Sequence, residues 1–553
     1  MTAGRILWGG SAFVAAATTV ATAGGMALGG LSVWSSITSL IVGLIVAILA
    51  ARSVDDRPQP ISIADAILLA VFGLLCLRAF IWVVYVVDDE IRVLSPNNVG
   101  DASIHLTFIR YLANGIPFWP QSPLLEGTPL AYPVGTDLFN ALLELCGVPT
   151  IRGLVWVGLW MSLLTAIALW RWGGAFAIAC FLFNGGLAGF AFFASGLLED
   201  FQAELGWKNI FLSVFVTQRS LLYAIPAGLA LLISWRSRIT GNGLRAPLWA
   251  EVLLYGTLPL FSVHTFLFFS LLLAAGVFVG ALRWHAIRLA VAALIPGALS
   301  MMLSTAFFSM PSHIRWQPGW MQGDNPAWFW IQNFGLALPL CAWLAVKLIP
   351  RRTPSDSSAT AARYFVWTSC ALFAVGITVM LSPWEWDNMK VLLWSWIIVA
   401  PFLWTEVLTP RSLGARVGLC AVLFASGAIS VLGGIDGRHG YRIASRKELD
   451  RAAWVVKDIP PTDRFAVDPQ YNHPLLLIGR PVSAGYEGHL WSHGLDYKRV
   501  YAAQKALFET GDLQTAAAAL PGTKWIFFGD AERRDFPASP LAAPETKVMP
   551  LRP

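Results

Sequence analysis

Roughly a dozen uninterrupted apolar runs of membrane-spanning length dominate this 553-residue chain. A backbone inside hydrocarbon must satisfy its own hydrogen bonds, so each run is committed to helix. About 20 apolar residues are needed to cross the hydrocarbon core. On that length, spans are expected near 6–27, 32–51, 61–86, 153–171, 174–196, 210–234, 289–309, 328–348, 363–382, 389–408 and 413–432. The run from Val252 to Leu282 is too long for one upright helix and contains Pro259 and His264, so two short or broken helices are expected there. The sum is about 11–13 spans, and thirteen, an odd number, puts the two ends on opposite sides. The stretch Ile6 to Gly30 after Arg5 has some signal-peptide character, but a second span follows at once, so a retained first helix is expected.

Composition agrees. Charged residues make up 13% of the chain, about half the share usual in soluble proteins, so a polytopic membrane protein is the expected class. The 26 Trp and 33 Phe supply aromatic belts for the interfaces. A net charge of +6 does not point to nucleic acid, because the basic residues are scattered among loops. The six cysteines show neither CxxC nor Cys/His spacing and read as small apolar residues.

Basic residues orient the spans. Arg52 and Arg57, Arg171, Arg236/Arg238/Arg245, Arg283 and Arg288, Lys347/Arg351/Arg352, and Arg411/Arg416 fall in alternate loops. The loops between them carry acids: Glu199, Asp200 and Glu204, then Asp324, then Glu385 and Asp387. Positive-inside then puts the N-terminus of a multi-pass protein in the cytoplasm, and the 88–150 loop and everything after Gly433 outside. The transmembrane part is expected over 1–435. Residues 436–553 regain charge and read as a small extracytoplasmic α/β domain, with a helix near Lys447 to Lys457, short strands at Arg464–Asp468 and Trp525–Phe528, and a helix from Tyr497 to Glu509.

The polar loop is where chemistry is expected. It holds Asp88-Asp89-Glu90, Asp101, His105 and Tyr132-Pro133-Val134-Gly135-Thr136-Asp137. Ser103 to Asn114 places Ile104, Phe108, Tyr111 and Leu112 on one face, an amphipathic helix able to lie on the membrane surface. Asp101 sits in its N-cap region, and His105 lies one turn on, on the same face. Asp101 reads either as a helix cap or as a carboxylate that deprotonates a hydroxyl. The Asp88-Asp89-Glu90 run reads as a solvated span end or as a competing acid. Arg219, midway along its span, is costly there and should face a polar cavity and an anion, or pair with another span. His264 reads first as a hydrogen-bonded core histidine. Trp384 to Lys390 opens a span, either as an interfacial belt or as part of a site. In the tail, Gly479-Arg480-Pro481 and Gly485 to Tyr497 are dense in Gly, His and aromatics, a composition of ligand-approaching loops. His489 and His493 alone lack the further ligands a metal needs. Walker A, GxGxxG, HExxH and GxSxG motifs are missing, which removes support for nucleotide-driven transport and common hydrolase chemistry.

Taken together, Gly100-Asp101-Ala-Ser-Ile-His105, Gly127 to Pro133, Gln218-Arg219-Ser220, Trp386-Asp387-Asn388-Met-Lys390 and the Gly479–Tyr497 segment resemble the GT-C glycosyltransferase superfamily. The resemblance is to its prokaryotic branch related to protein-mannosyltransferases and aminoarabinose transferases, which implies a place in the bacterial inner (plasma) membrane. It implies a GT-C-like, mainly α membrane fold and a polyprenyl-phosphate sugar donor bound from the membrane lipid. It also implies an inverting transfer to a glycan, lipid or protein acceptor on the outer face. Asp101 would then be the general base, with Asp89 as the competing acid. Arg219, Lys390 or Arg480 would hold the donor phosphate, and His105 and Asp387 would orient groups around it. Gln218, Tyr132, His489 and His493 would complete the substrate-binding set. A divalent metal at the acids is left open by the resemblance. The rival expectation is a transporter or flippase of a lipid-linked saccharide, for which Arg219 and the broken 252–282 run speak.

Overall fold

The computed structural model describes residues 1–94, 98–305, 314–349, 356–438 and 440–552. Arg351 and Arg352, used above for orientation, and the ends of the 289–309 and 354–360 segments fall outside these residues. Among those described, eight helices are long and apolar enough to cross a membrane: Ala3–Leu28, Val33–Ser53, Ile63–Ile81, Thr150–Leu182, Arg219–Thr240, Arg283–Thr305, Glu385–Leu408 and Leu413–Gly434. A ninth is added if Pro326–Phe334 and Ala337–Lys347, bent by 85° at their junction, form one span. The protein is thus a polytopic helical membrane protein.

Burial separates hub from rim. In Arg219–Thr240, 94% of the apolar window is buried, against 22% in Val33–Ser53. The latter turns Trp34, Ile41, Leu44 and Ile45 outward, the apolar surface a helix presents to lipid. Two breaks follow from sequence. Thr150–Leu182 loses helical geometry at Gly173 and at Gly174, whose φ of +62° suits glycine alone. The long 252–282 run divides at Ser262 into Leu248–Phe261 and Val263–Gly276. Ser262 is extended there, and its hydroxyl accepts from the Thr265 amide at 3.3 Å to start the second helix.

The polar loop is more structured than its pattern predicts. Asp88-Asp89 forms a hairpin turn between Tyr85–Val87 and Glu90–Val93, with Asp88 at φ +52°, a conformation Asp tolerates. The run therefore shapes a turn beyond the span. The tail strand Tyr441–Ser445 pairs antiparallel with Glu90–Val93, so loop and tail share one sheet. The loop helix runs Asn98–Ala113, which makes Asp101 its fourth residue, inside the first turn and not at the expected cap. That position still suits an acid facing the positive helix end. Nor does this helix lie on a membrane surface: residues Ala102 to Ile109 are buried on every side. The helix Gly135–Leu145 and the short tail helix Pro474–Leu477 pack against it, covering the face expected to be wet.

After Gly434 the described tail holds helices Arg446–Val455, Lys498–Thr510 and several shorter ones. Its own sheet joins Arg464–Ala466, parallel to Thr523–Phe528, and Lys547–Pro550, antiparallel to the latter. A small satellite core forms around Phe508, Ile526 and Phe528, while other tail residues, such as Leu475, Val482 and Leu490, join the main core. Gly479 marks the contact: at φ +77° its missing Cβ would lie 2.5 Å from the Arg110 carbonyl carbon in the loop helix. The Asn114 amide donates to the Gly479 carbonyl at 3.0 Å and Arg110 to the Leu477 carbonyl at 3.2 Å. Replacing Gly479 with Val is expected to weaken this docking by roughly 1–3 kcal/mol, from left-handed strain before any clash is counted. The check is faster protease cleavage of the tail in the purified variant; cleavage at the wild-type rate would refute the docking role.

Candidate active site

Four polar segments contribute: the loop helix, the Asp387–Lys390 segment, the start of the hub helix Arg219–Thr240 and the tail. The first is the loop helix. Its His105, 3% exposed, lies 2.9 Å through Nδ1 from both carboxylate oxygens of Asp137. Asp137 belongs to the first turn of Gly135–Leu145 and is itself 2% exposed. A buried carboxylate so placed fixes the ring of His105 and leaves Nε2 as its other polar atom. The Gly135 helix is set against the Ser262 break, because a Cβ at Gly135 would stand 2.7 Å from the Phe261 ring and 2.8 Å from the Leu260 carbonyl. The Thr136 hydroxyl donates to the Arg219 carbonyl at 2.9 Å, tying loop to hub.

Asp101 is partly exposed by surface but deeply recessed. Burial raises its carboxyl above the ordinary range, and the charges of His105, Lys390 and Lys208 oppose the rise while Asp387 adds to it. All four groups therefore lie within electrostatic reach of Asp101. Lys390 and Asp387 form the second segment: Nζ lies 2.8 Å from Oδ1, and both side chains remain slightly exposed. Asp387 also feels His264, from the start of Val263–Gly276, and His493 from the tail. His264 is half-buried and faces this pair, so it belongs to the site and not to the apolar core that the sequence suggested for it.

Third comes the hub. Arg219, expected midway along a span, instead opens the helix Arg219–Thr240, because the chain breaks at Thr217-Gln218; it is 3% exposed there and within the field of Asp137 and Asp101. Among the described residues its Nη1 has no hydrogen-bond partner, and the neighbouring Gln218 Oε1, also buried, has none. Lys208 approaches from the 196–209 loop, its Nζ 5.0 Å above the Trp386 ring. Burial lowers its ammonium, against the pull of Glu204, Asp200 and Asp101.

The tail closes the group from above. The His493 ring lies 4.9 Å from that of Tyr132, which in turn packs 5.0 Å from Phe108 and 6.2 Å from His105. Burial pushes the His493 imidazole down to about 4, so the ring is neutral at ordinary pH. Burial also lifts the Tyr132 phenol well above its usual value, aided by Asp137, Asp101 and Asp387.

Of the residues singled out from sequence, Asp101, His105, Tyr132, Gln218, Arg219, Asp387, Lys390 and His493 come together here. Three do not. Arg480 donates to the carbonyls of Val456, Ile459 and Pro460 at 2.7 to 2.9 Å, closing the end of Arg446–Val455, so its cation is not offered to a phosphate. Asp89 accepts from the Ser445 hydroxyl and the Lys447 amide, an exposed staple between loop and tail. His489 packs its ring edge-on against Tyr486 at 5.3 Å. Conversely, Asp137, Lys208 and His264 were missed as site residues.

The donor set does not fit a divalent cation. Among the described residues no three His, Cys, Asp or Glu side chains converge as ligands. The acids instead face fixed cations, Lys390 on Asp387 and Lys390 and Lys208 near Asp101. No step below runs through a metal.

An apolar cavity of about 360 Å³ is walled by Trp207, Phe334, Leu338, Phe373, Trp396 and Val399. Trp207 adjoins Lys208, and Trp396 and Val399 follow Lys390 along one helix. Compared with models of known protein families and with curated proteins, the sequence matches none.

Proposed function

We propose that the protein is a membrane glycosyltransferase that moves a sugar from a polyprenyl-phosphate donor to an acceptor hydroxyl on its outer face. One observation carries this reading: Arg219, buried with an Nη1 that has no hydrogen-bond partner among the described residues, lies within the electrostatic reach of Asp101, a carboxyl that burial pushes above the ordinary range. A buried cation in no ion pair and with an unpartnered donor is expensive and calls for an anion. The apolar cavity that reaches Trp207, next to Lys208, and the Lys390 helix at Trp396 suits the chain of a lipid that carries such an anion.

In this reaction the acceptor oxygen attacks the anomeric carbon from the side opposite the phosphate, inverting it. The acceptor proton passes to an Asp101 carboxylate oxygen. The bond between the anomeric carbon and the phosphate oxygen breaks, and its electron pair leaves with the polyprenyl phosphate. Arg219, Lys390 and Lys208 hold the charge that develops there. Asp137 keeps His105 in one orientation beside Asp101, and His493 and Tyr132 give the acceptor side an aromatic, neutral wall.

The test uses full-length protein in liposomes with radiolabelled polyprenyl-phosphate hexoses and cell-envelope membranes as acceptor. Release of free polyprenyl phosphate with transfer of label is expected. Movement of intact labelled lipid across the bilayer without bond cleavage would overturn the reading in favour of a flippase.

A further inference from the structure

At the far ends of the two helices that carry Arg219 and Lys390 lies a second polar cavity, of about 640 Å³. It is about 20–25 Å from the first site, since Arg236 is seventeen residues beyond Arg219 and Trp404 fourteen beyond Lys390. Its walls come from the Gly173–Gly174 break, the last turns of Arg219–Thr240, the beginning of Ser357–Gly376 and the π-helical end Leu403–Leu408.

Two arginines line it and differ in their partners. Arg171 is neutralised: its Nη2 lies 2.5 Å from Asp56 and Nη1 donates to the Arg57 carbonyl at 3.0 Å. Its Nε, on a side chain only 6% exposed, has no partner among the described residues. Arg236 is not neutralised. Its guanidinium sits 5.3 Å from the Trp172 ring and 5.2 Å from the Phe402 ring, and Nη1 donates to the Trp172 carbonyl at 2.9 Å. Among the described residues no carboxylate forms an ion pair with it; Asp356, the one acid on the lining, is exposed at the rim and accepts from the Ser358 amide. Around the arginines stand the indoles of Trp170 and Trp404, with Ser237, Thr240 and Asn242 as hydroxyl and amide lining.

We infer that this cavity binds the phosphate-bearing headgroup of an anionic phospholipid from the leaflet opposite the Asp101 site. A guanidinium flanked by two aromatic rings, with Nη1 on the Trp172 carbonyl, has further planar donors to offer a phosphate oxygen. Basic pockets between transmembrane helix ends recognise such headgroups, and indoles mark that depth of the bilayer. Glycerol hydroxyls and ester carbonyls match the polar lining. The bound lipid bridges the Gly173–Gly174 break to the ends of both site-bearing helices, so its binding stabilises the fold by mass action. This inference stands whether or not the sugar-transfer reading holds.

The experiment takes the full-length protein, stripped of lipid in neutral detergent, and adds phosphatidylglycerol, phosphatidylcholine or inorganic phosphate. Native mass spectrometry and the melting temperature are read together. Phosphatidylglycerol should stay bound and raise Tm, while the other two should do neither. Arg236→Gln should weaken retention about tenfold, the loss of one charge-assisted contact. Thr405→Trp, which fills the mouth and leaves the charge intact, should do the same, and it keeps the test decisive if the first variant misfolds. Lys390→Met, at the other end, should bind lipid as wild type does. Unchanged retention in Thr405→Trp and in any folded Arg236→Gln would overturn the site. Equal effects of phosphatidylcholine, or of inorganic phosphate, would overturn the anionic lipid as its ligand.

Discussion

Asp101→Asn is expected to lose about 10²–10⁴-fold in sugar transfer while still binding the donor, the range general-base catalysis supplies. The substitution keeps shape and removes the proton-accepting charge. The Asp101 carboxylate belongs to no ion pair within 4 Å among the described residues, and the first-turn position costs the helix little when an amide replaces it. The pH profile supplies a second readout. Burial raises the Asp101 carboxyl, so the base is protonated, and activity lost, at a higher pH than for an ordinary carboxylate of about 3.9. The sign is fixed: transfer falls as pH drops through the raised value. The neighbours facing it are His105 from its own helix, Lys390 and Asp387 from the second segment, and Lys208 from the 196–209 loop. Removing Lys390 takes away a positive charge that holds the proton off, so Lys390→Met should move the acid limb further up. Equal turnover in Asp101→Asn and wild type would sink the assignment of the base, and an acid limb unmoved by Lys390→Met would sink the electrostatic account.

How much of this was legible in advance depended on which residues cost something where they stand. Arg219 and the Asp387–Lys390 pair could be read because ionisable groups in apolar surroundings need a reason. The Val252–Leu282 break could be read from length and Pro259. Asp137 could not be paired with His105, because 32 residues and a turn separate them and only the folded loop brings Nδ1 to the carboxylate. Lys208 stood in an acidic loop and looked like local charge balance, which it partly is. The loop helix misled most. Its amphipathic pattern is real, but the tail covers the polar side, a contact between residues more than 360 apart that no local periodicity records. Arg480 failed for the same reason: its partners are the carbonyls of a helix end that the Gly-Arg-Pro sequence does not announce.

Arg219→Gln is expected to cost about 10²–10³-fold in kcat/KM, the loss that follows when one fixed donor to developing negative charge is taken away. The charge on the leaving phosphate grows as the glycosidic bond breaks, so the cation acts more strongly late in the reaction and kcat falls more than donor binding does. Stability should move the other way. Before donor arrives, the guanidinium is buried with an unpartnered Nη1, its closest acids Asp137 and Asp101 standing beyond ion-pair contact. An uncompensated buried charge is a liability, so the neutral Gln variant should melt no lower than wild type, and polyprenyl phosphate should raise the melting temperature of wild type but not of Gln. Arg219→Lys should recover only part of the rate, because an ammonium keeps the charge without the planar pair of donors. A structural ion pair would give the reverse pattern, with Arg219→Gln melting lower and its activity falling only in step with folded protein. That outcome would remove Arg219 from the phosphate site, and with it the main support for a lipid-phosphate donor.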